Sequence, residues 1–212
     1  MFFLECSIIW RSKMKQIPLA IGTVEALCIN GQTVSHIDFE LNGPVNDIHR
    51  GFDRVISGHD GEYLRSSELS KKVSRIFNWR SWTGLSAEEI QATEEILGCS
   101  IPVGCLLENI RISGIPNFSQ LAPTSRLVFP IRRDHPPNQT QAILAIWEEN
   151  DPCRTVGVRL AQYHAKQPDS LLQFEFVQAA KGKRGVMGFV LAAGRIVVGD
   201  VVMLYPPASI PL

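Results

Sequence analysis

Cys153 has the best-placed local chemistry in this sequence. It follows Asp151 and Pro152, a good N-cap and the favoured first helical residue. Val156, Leu160 and Tyr163 then recur at helical spacing. The pattern predicts a helix whose first turn holds Cys153 and Arg154. Unpaired N–H groups and the helix dipole favour an anion at that place, and Arg154 adds a cation. Both effects favour a thiolate, the nucleophilic and metal-binding form of cysteine. Gly157 opposes the helix, and a buried structural cysteine is the plain alternative.

Three further groups could act on an anion or a proton. In 180–186, two glycines flank Lys183 and Arg184 between strand-like runs; such a turn can present N–H groups and fixed cations to a phosphate. His49 and Arg50 stand in a glycine-punctuated loop over 42–56 and suit anion recognition or proton transfer. There, Asp47 and Asp53 could simply pair with Arg50 and Arg54. Asn109 ends the apolar run 103–110, and its amide could recognise a polar ring edge; a turn-forming Asn is the alternative. His36, His59, His135 and His164 belong to no motif, and no Walker loop, nucleophile elbow or dinucleotide fingerprint is present.

The elements that must carry these residues are short. Residues 17–29 read as a strand broken near Gly22, and Asn30-Gly31 is a turn signal before the alternating run 34–41. Residues 66–79 read as a helix with Leu69, Val73, Ile76 and Phe77 on one face. A second helix opens at Ser86, with Glu89 at capping-box spacing and Leu85 and Ile90 at staple positions, and stops at Gly98. Beyond residue 100 the strand candidates are 127–131, 142–147, 171–177, 186–190 and 195–204, split by Gly, Pro and Asp turns. This predicts an antiparallel or mixed sheet closing into a barrel.

Composition narrows the classes. The 212 residues carry 21 basic and 21 acidic side chains, with 45% hydrophobic and 20% charged residues. A net charge of zero argues against bulk nucleic-acid binding. No apolar run approaches the roughly 20 residues of a bilayer span. The cysteine count is five, odd and without Cys-x-x-Cys spacing. That predicts reduced thiols in a cytoplasmic protein and no structural zinc. The expected organisation is an N-terminal extension over 1–16, one domain over 17–206 and a tail over 207–212. The extension lacks a signal-peptide pattern, and Met14 is a second candidate start.

In their order along the chain, five segments resemble the MOSC domain family, named after the C-terminal domain of molybdenum-cofactor sulfurases. They are 49–54 (His-Arg-Gly-Phe-Asp-Arg), 101–110 (Ile-Pro-Val-Gly-Cys-Leu-Leu-Glu-Asn-Ile), 150–154 (Asn-Asp-Pro-Cys-Arg), 181–186 (Lys-Gly-Lys-Arg-Gly-Val) and 194–201. The resemblance spans nearly the whole chain and is nearest to the small stand-alone bacterial members. It implies a mainly β fold, a MOSC-type barrel with peripheral helices. It also implies that Cys153 either ligates molybdenum or carries sulfur as a persulfide. His49, Arg50, Asn109, Arg154, Lys183 and Arg184 are the matching candidates for holding the molybdenum cofactor. The chain has no room for a pyridoxal-phosphate desulfurase domain, so no pyridoxal phosphate is expected. It also lacks the extra N-terminal barrel domain of larger amidoxime-reducing members.

Three functions compete. The first is a molybdenum-cofactor oxidoreductase acting on N-hydroxylated small molecules, with electrons from an external donor protein. The second is a sulfur carrier that receives a persulfide on Cys153 from a donor for metal–sulfur cofactor assembly. The third is a binding protein whose cysteine has no chemistry.

Overall fold

The computed structural model describes residues 17–55, 75–131, 140–166 and 170–207. In chain order its elements are strands β1 (Ala20–Ile29), β2 (Gln32–Val34), β3 (His36–Glu40), β4 (Gly43–Pro44), β5 (Asp53–Val55), β6 (Arg75–Phe77) and β7 (Trp82–Ser86), then helix α1 (Ala87–Leu97). Strands β8 (Ile110–Ser113), β9 (Arg126–Phe129) and β10 (Ala142–Glu149) follow, then helices α2 (Arg154–Tyr163) and α3 (Leu172–Ala179). Strands β11 (Val186–Ala192), β12 (Gly194–Val197) and β13 (Val201–Tyr205) complete the order.

Seven strands close on themselves in the order β13-β9-β10-β11-β7-β8-β1, with β1 pairing back to β13. The closing pairs are antiparallel apart from β7–β8, which is parallel. Parallel neighbours need a crossover, and α1 lies within it. The barrel is therefore mixed, as its sequence predicts. Period-two patterning fills its interior: β8 buries Ile110 and Ile112, β9 buries Leu127 and Phe129, and β13 buries Val202 and Leu204. Register shifts in β1 between Val24 and Ala26, and in β10 between Ile146 and Glu148, add the local bend that closure requires. The bend expected at Gly22 thus falls at Glu25. A smaller sheet, β12-β3-β4, and the ribbon β5–β6 stand apart from the barrel.

Asn30-Gly31 forms the expected hairpin turn, with φ of 52° and 81° at the two central residues. Positive φ at both positions matches the twist of the flanking strands, and only Gly and Asn adopt it readily. The alternating run 34–41 is shortened to β3, and 195–204 divides into β12 and β13 at Gly199, where φ is 86°. Trp82–Ser86 and Ile110–Ser113 are barrel strands that periodicity did not single out.

The helix expected over 66–79 is corrected in part. Residues 66–74 lie outside the described residues, and Arg75–Phe77 is a strand paired with Asp53–Val55. A three-residue ribbon strand is too short for its period to separate the two readings. The strand expected over 171–177 is instead α3. Leu172, Phe174 and Phe176 alternate with polar residues, which mimics a half-buried strand. The helix buries Gln173, Phe176 and Ala179 and leaves Phe174 49% exposed. Its partner decides the matter. A Cβ on Gly157 of α2 would stand 2.4 Å from the Gln173 carbonyl oxygen, so the glycine that weakens α2 lets the two helix backbones touch.

Helices α1, α2 and α3 cover one side of the barrel around a second apolar cluster, which includes Leu85, Ile90, Leu106, Val156, Leu160 and Phe176. The first turn of α1 is capped as expected: the Glu89 N–H donates to Ser86 Oγ at 3.2 Å, and Gly98 closes the helix at φ 65°. The reciprocal half of the capping box does not form, because the Glu89 carboxylate accepts from the Ser119 backbone and hydroxyl. No helix among the described residues is long and apolar enough to cross a membrane.

Candidate functional site

Three loops meet where β10 leaves the barrel and β11 enters it. The first, over 42–51, is pinned rather than flexible. Asn30 Nδ2 donates to the Asn46 carbonyl and its Oδ1 accepts the Ile48 N–H. Asn78 Nδ2 donates to the carbonyls of His49 and Gly51 at 2.7 and 3.0 Å. These bonds aim His49 and Arg50 at a common cleft. The pairings expected for this loop's acids are corrected. Asp47 binds His49 and Asn109, and Asp53 binds Arg75. Arg50 itself is held by Glu40 and by Asn42 Oδ1.

The second loop carries Lys183 and Arg184. It does not work as an N–H cradle. The Lys183 N–H goes to the Ala180 carbonyl and the Gly185 N–H to Ser119 Oγ. Half-buried Lys183 does not line the cleft. Arg184 goes the other way. It is 5% exposed, and its Nη2 donates to the Leu106 carbonyl at 2.7 Å. Its Nε and Nη1 are buried without a hydrogen-bond partner. Burial pushes the guanidinium below its ordinary pKa, against the opposing pull of Glu108 and Cys153. Arginine stays protonated in proteins, so the cleft wall holds a desolvated cation with two unmatched donors. Such a group is costly unless an anion meets it.

The third loop brings Cys153. The helix starts two residues later than predicted: Cys153, not Asp151, is the N-cap of α2, with φ −125° and ψ 156°. No first-turn N–H donates to its side chain. Asp151 and Pro152 lie in the extended approach, and Arg154 turns toward α3. Its Nε donates to Gln173 Oε1 at 2.8 Å, and its guanidinium sits 5.1 Å from the centroid of the Phe174 ring. Arg154 therefore does not line the cleft.

Asn109 is the clearest departure. It is buried, with Oδ1 accepting the Thr83 N–H at 2.9 Å and Nδ2 donating to Asp47 Oδ2 at 2.8 Å. An amide so used inside the wall cannot read a ligand edge.

The cleft has a volume of about 440 Å³, within the range of small-molecule sites. His49, Arg50, Cys153 and Arg184 line it, from three distant stretches of chain. Asn78, Arg80, Thr83 and Asn150 also line it and were not picked out from the sequence. Asn150 lay within a quoted motif and Asn78 within the run read as a helix over 66–79, while nothing in the sequence singled out Arg80 or Thr83. Among the described residues no three His, Cys, Asp or Glu side chains converge as a metal site. The soft donor the cleft offers is Cys153.

The thiols differ in access. Cys28 is fully buried, and burial, with Glu108 nearby, pushes its pKa up to about 12. Burial also raises Cys99 and Cys105. Below those values the thiols stay protonated and react slowly. Iodoacetamide at neutral pH is expected to modify Cys153 well before Cys28 in the folded protein. Peptide mass spectrometry of a time course checks this, and equal rates would overturn it.

Residues 79–203 match the family model of the MOSC domain. YuaD of Bacillus subtilis (strain 168), whose name links it to metal–sulfur cluster biosynthesis, is 30% identical over 167 residues, 77% of each chain. A crystal structure of YuaD from Bacillus subtilis is similar with a TM-score of 0.74 at 26% identity, covering 89% of this chain and 97% of that one. The crystal structure of a hypothetical protein shares the fold, with a TM-score of 0.50 at 13% identity over 89% of this chain and 69% of that one.

Proposed function

The chain belongs to the MOSC domain family, and from that membership we propose that its cleft binds the molybdenum cofactor, with Cys153 as the protein's ligand to the metal. The observation that carries this reading is Arg184. A buried guanidinium with Nε and Nη1 unmatched calls for an anion, and the cofactor's phosphate is one. The rest of the cleft fits the group as well. Cys153 supplies a soft thiolate donor suited to a sulfur-rich metal centre. His49 and Arg50 supply polar edges on the loop opposite.

When bound, that cofactor supplies the two-electron redox chemistry that reduction of an N–OH bond to N–H and water requires. The activity proposed is an oxidoreductase on N-hydroxylated small molecules, with electrons from an external donor protein. The chain's own contribution is to hold and to orient. Arg184 neutralises the bound anion from inside the wall. Cys153 fixes the metal end at the N-terminus of α2. The pinned 42–51 loop keeps the opposite face of the cleft in place.

A second reading is supported by the name of the Bacillus subtilis relative. In it, Cys153 receives a sulfur atom from a donor persulfide, holds it as its own persulfide and passes it to metal–sulfur assembly. Its half-open position at the edge of the second core suits access by a donor.

Metal and pterin analysis separates the two readings. Protein expressed with molybdate in a cofactor-producing host is expected to carry near-stoichiometric molybdenum and pterin. In Cys153→Ala the molybdenum is expected to fall by about tenfold or more, because the protein's soft donor is gone. Folded wild-type protein with neither molybdenum nor pterin would overturn the first reading, and a persulfide on Cys153 in that sample would establish the second.

A further inference from the structure

A chain of hydrogen bonds behind the cleft has only one possible polarity. It begins at the Thr83 backbone N–H, which can only donate and gives its proton to Asn109 Oδ1 at 2.9 Å. That bond fixes the amide orientation, so Nδ2 faces Asp47 and donates to Oδ2 at 2.8 Å. The other carboxylate oxygen, Oδ1, accepts the His49 backbone N–H at 2.8 Å and lies 3.1 Å from His49 Nδ1. Asp47 and Asn109 are both buried, while 48% of the His49 side chain is open.

An ionised carboxylate only accepts hydrogen bonds. Asp47 is held ionised: burial alone would raise its pKa, but the bonds from His49 and Asn109 bring it below the ordinary carboxylate range. His49 Nδ1 must then carry the hydrogen. In a neutral imidazole the other nitrogen is the acceptor. Nε2 has no hydrogen-bond partner among the described residues, and the ring lines the cleft that Cys153 and Arg184 also line.

We propose that Asp47 and Asn109 are positioning residues that lock His49 as its Nδ1–H tautomer, presenting Nε2 to the cleft as the group that accepts and returns the proton of the chemistry there. This deepens the oxidoreductase reading and rests on it. Reduction of N–OH to N–H and water takes up two protons with two electrons. The electrons come from the donor protein. His49, protonated at Nε2 from solvent, delivers one proton to the departing hydroxyl oxygen as the N–O bond breaks, so that the oxygen leaves as water, and the second proton reaches the nitrogen from solvent. The half-open ring then recovers its proton from water. Throughout, Nδ1–H stays on Asp47. Neither Asp47 nor Asn109 touches the ligand.

The tautomer is read directly by long-range proton–nitrogen NMR on cofactor-free protein, at a pH where the imidazole is neutral. In the wild type, His49 is expected to show a protonated Nδ1 and an unprotonated Nε2. In Asp47→Ala the two signals are expected to exchange, toward the Nε2–H form that free histidine favours. Should Asp47→Ala fail to fold, Asp47→Leu fills a similar volume without an acceptor, and loss of the Nδ1–H form is again expected. A wild-type His49 protonated at Nε2, or a folded variant with an unchanged tautomer, overturns the proposal. Because no cofactor is present, the result does not depend on molybdenum binding. The metal analysis above can fail while this succeeds, and the reverse.

Discussion

Arg184→Met is expected to make the ligand-free protein more stable while removing its grip on an anion. The wild-type guanidinium is buried, with one of its donors on the Leu106 carbonyl and two without partners. Replacing buried charged groups with apolar groups of similar volume is often neutral or stabilising by about 1–4 kcal/mol. The variant loses one hydrogen bond to a carbonyl, about 1 kcal/mol. Glu108 Oε1 keeps its bonds from Arg111 at 2.7 Å and from the Gly104 N–H at 2.9 Å, and Oε2 has no hydrogen bond to lose. The net expectation is a gain of roughly 0–3 kcal/mol in urea unfolding of the apo protein. The same change removes two charge-assisted donors, each worth about 1.5–3 kcal/mol to a bound anion. Pterin retention should therefore fall by about 100-fold or more. A variant that is destabilised like an ordinary core change, and still retains pterin, would show the cation to be structural.

Asn109→Ala is expected to behave in the opposite way, as a large loss of stability. Its side chain satisfies the Thr83 N–H, one oxygen of buried Asp47 and, at 3.4 Å, the Cys28 carbonyl. Each buried group left unmatched costs about 1–3 kcal/mol, with more for the charged one. The expected loss is roughly 3–5 kcal/mol, among the larger effects of a single substitution. Chemical denaturation checks it. A loss below about 1 kcal/mol, together with weaker ligand binding, would restore Asn109 as a ligand contact.

These two residues show how far the sequence could be read. Arg184 and Asn109 both stood in short motifs with residue types suited to a phosphate and a ring edge. Motif position does not say which way a side chain points. In the turn between the αL glycines 182 and 185, Arg184 is buried in the cleft wall and half-buried Lys183 does not line the cleft. The approach of β7 to the 106–109 segment gives the Asn109 amide a backbone donor and consumes it within the wall. Arg154 was drawn off in the same manner by Gln173 and Phe174 of α3, a helix whose alternating residues had read as a strand. Of the unforeseen lining residues, Asn78 ends the run read as a helix over 66–79, and Arg80 and Thr83 stand in a stretch that no reading covered.

Local chemistry was legible wherever the cause is local. The Asn30-Gly31 turn follows from positive φ, the start and stop of α1 from Ser86 and Gly98, and the barrel strands β9, β11 and β13 from alternation between Gly and Pro breaks. The order of five segments along the chain was enough to mark the family. The tertiary structure alone decided which of the marked side chains share a cleft, where α2 begins relative to Cys153, and that Asp47 stands behind His49. Those outcomes depend on barrel closure and on packing between residues tens of positions apart. A hydrogen bond from residue 109 to residue 47, or a guanidinium buried beneath residue 106, has no trace in spacing, because its energy comes from neighbours that only the closed fold supplies.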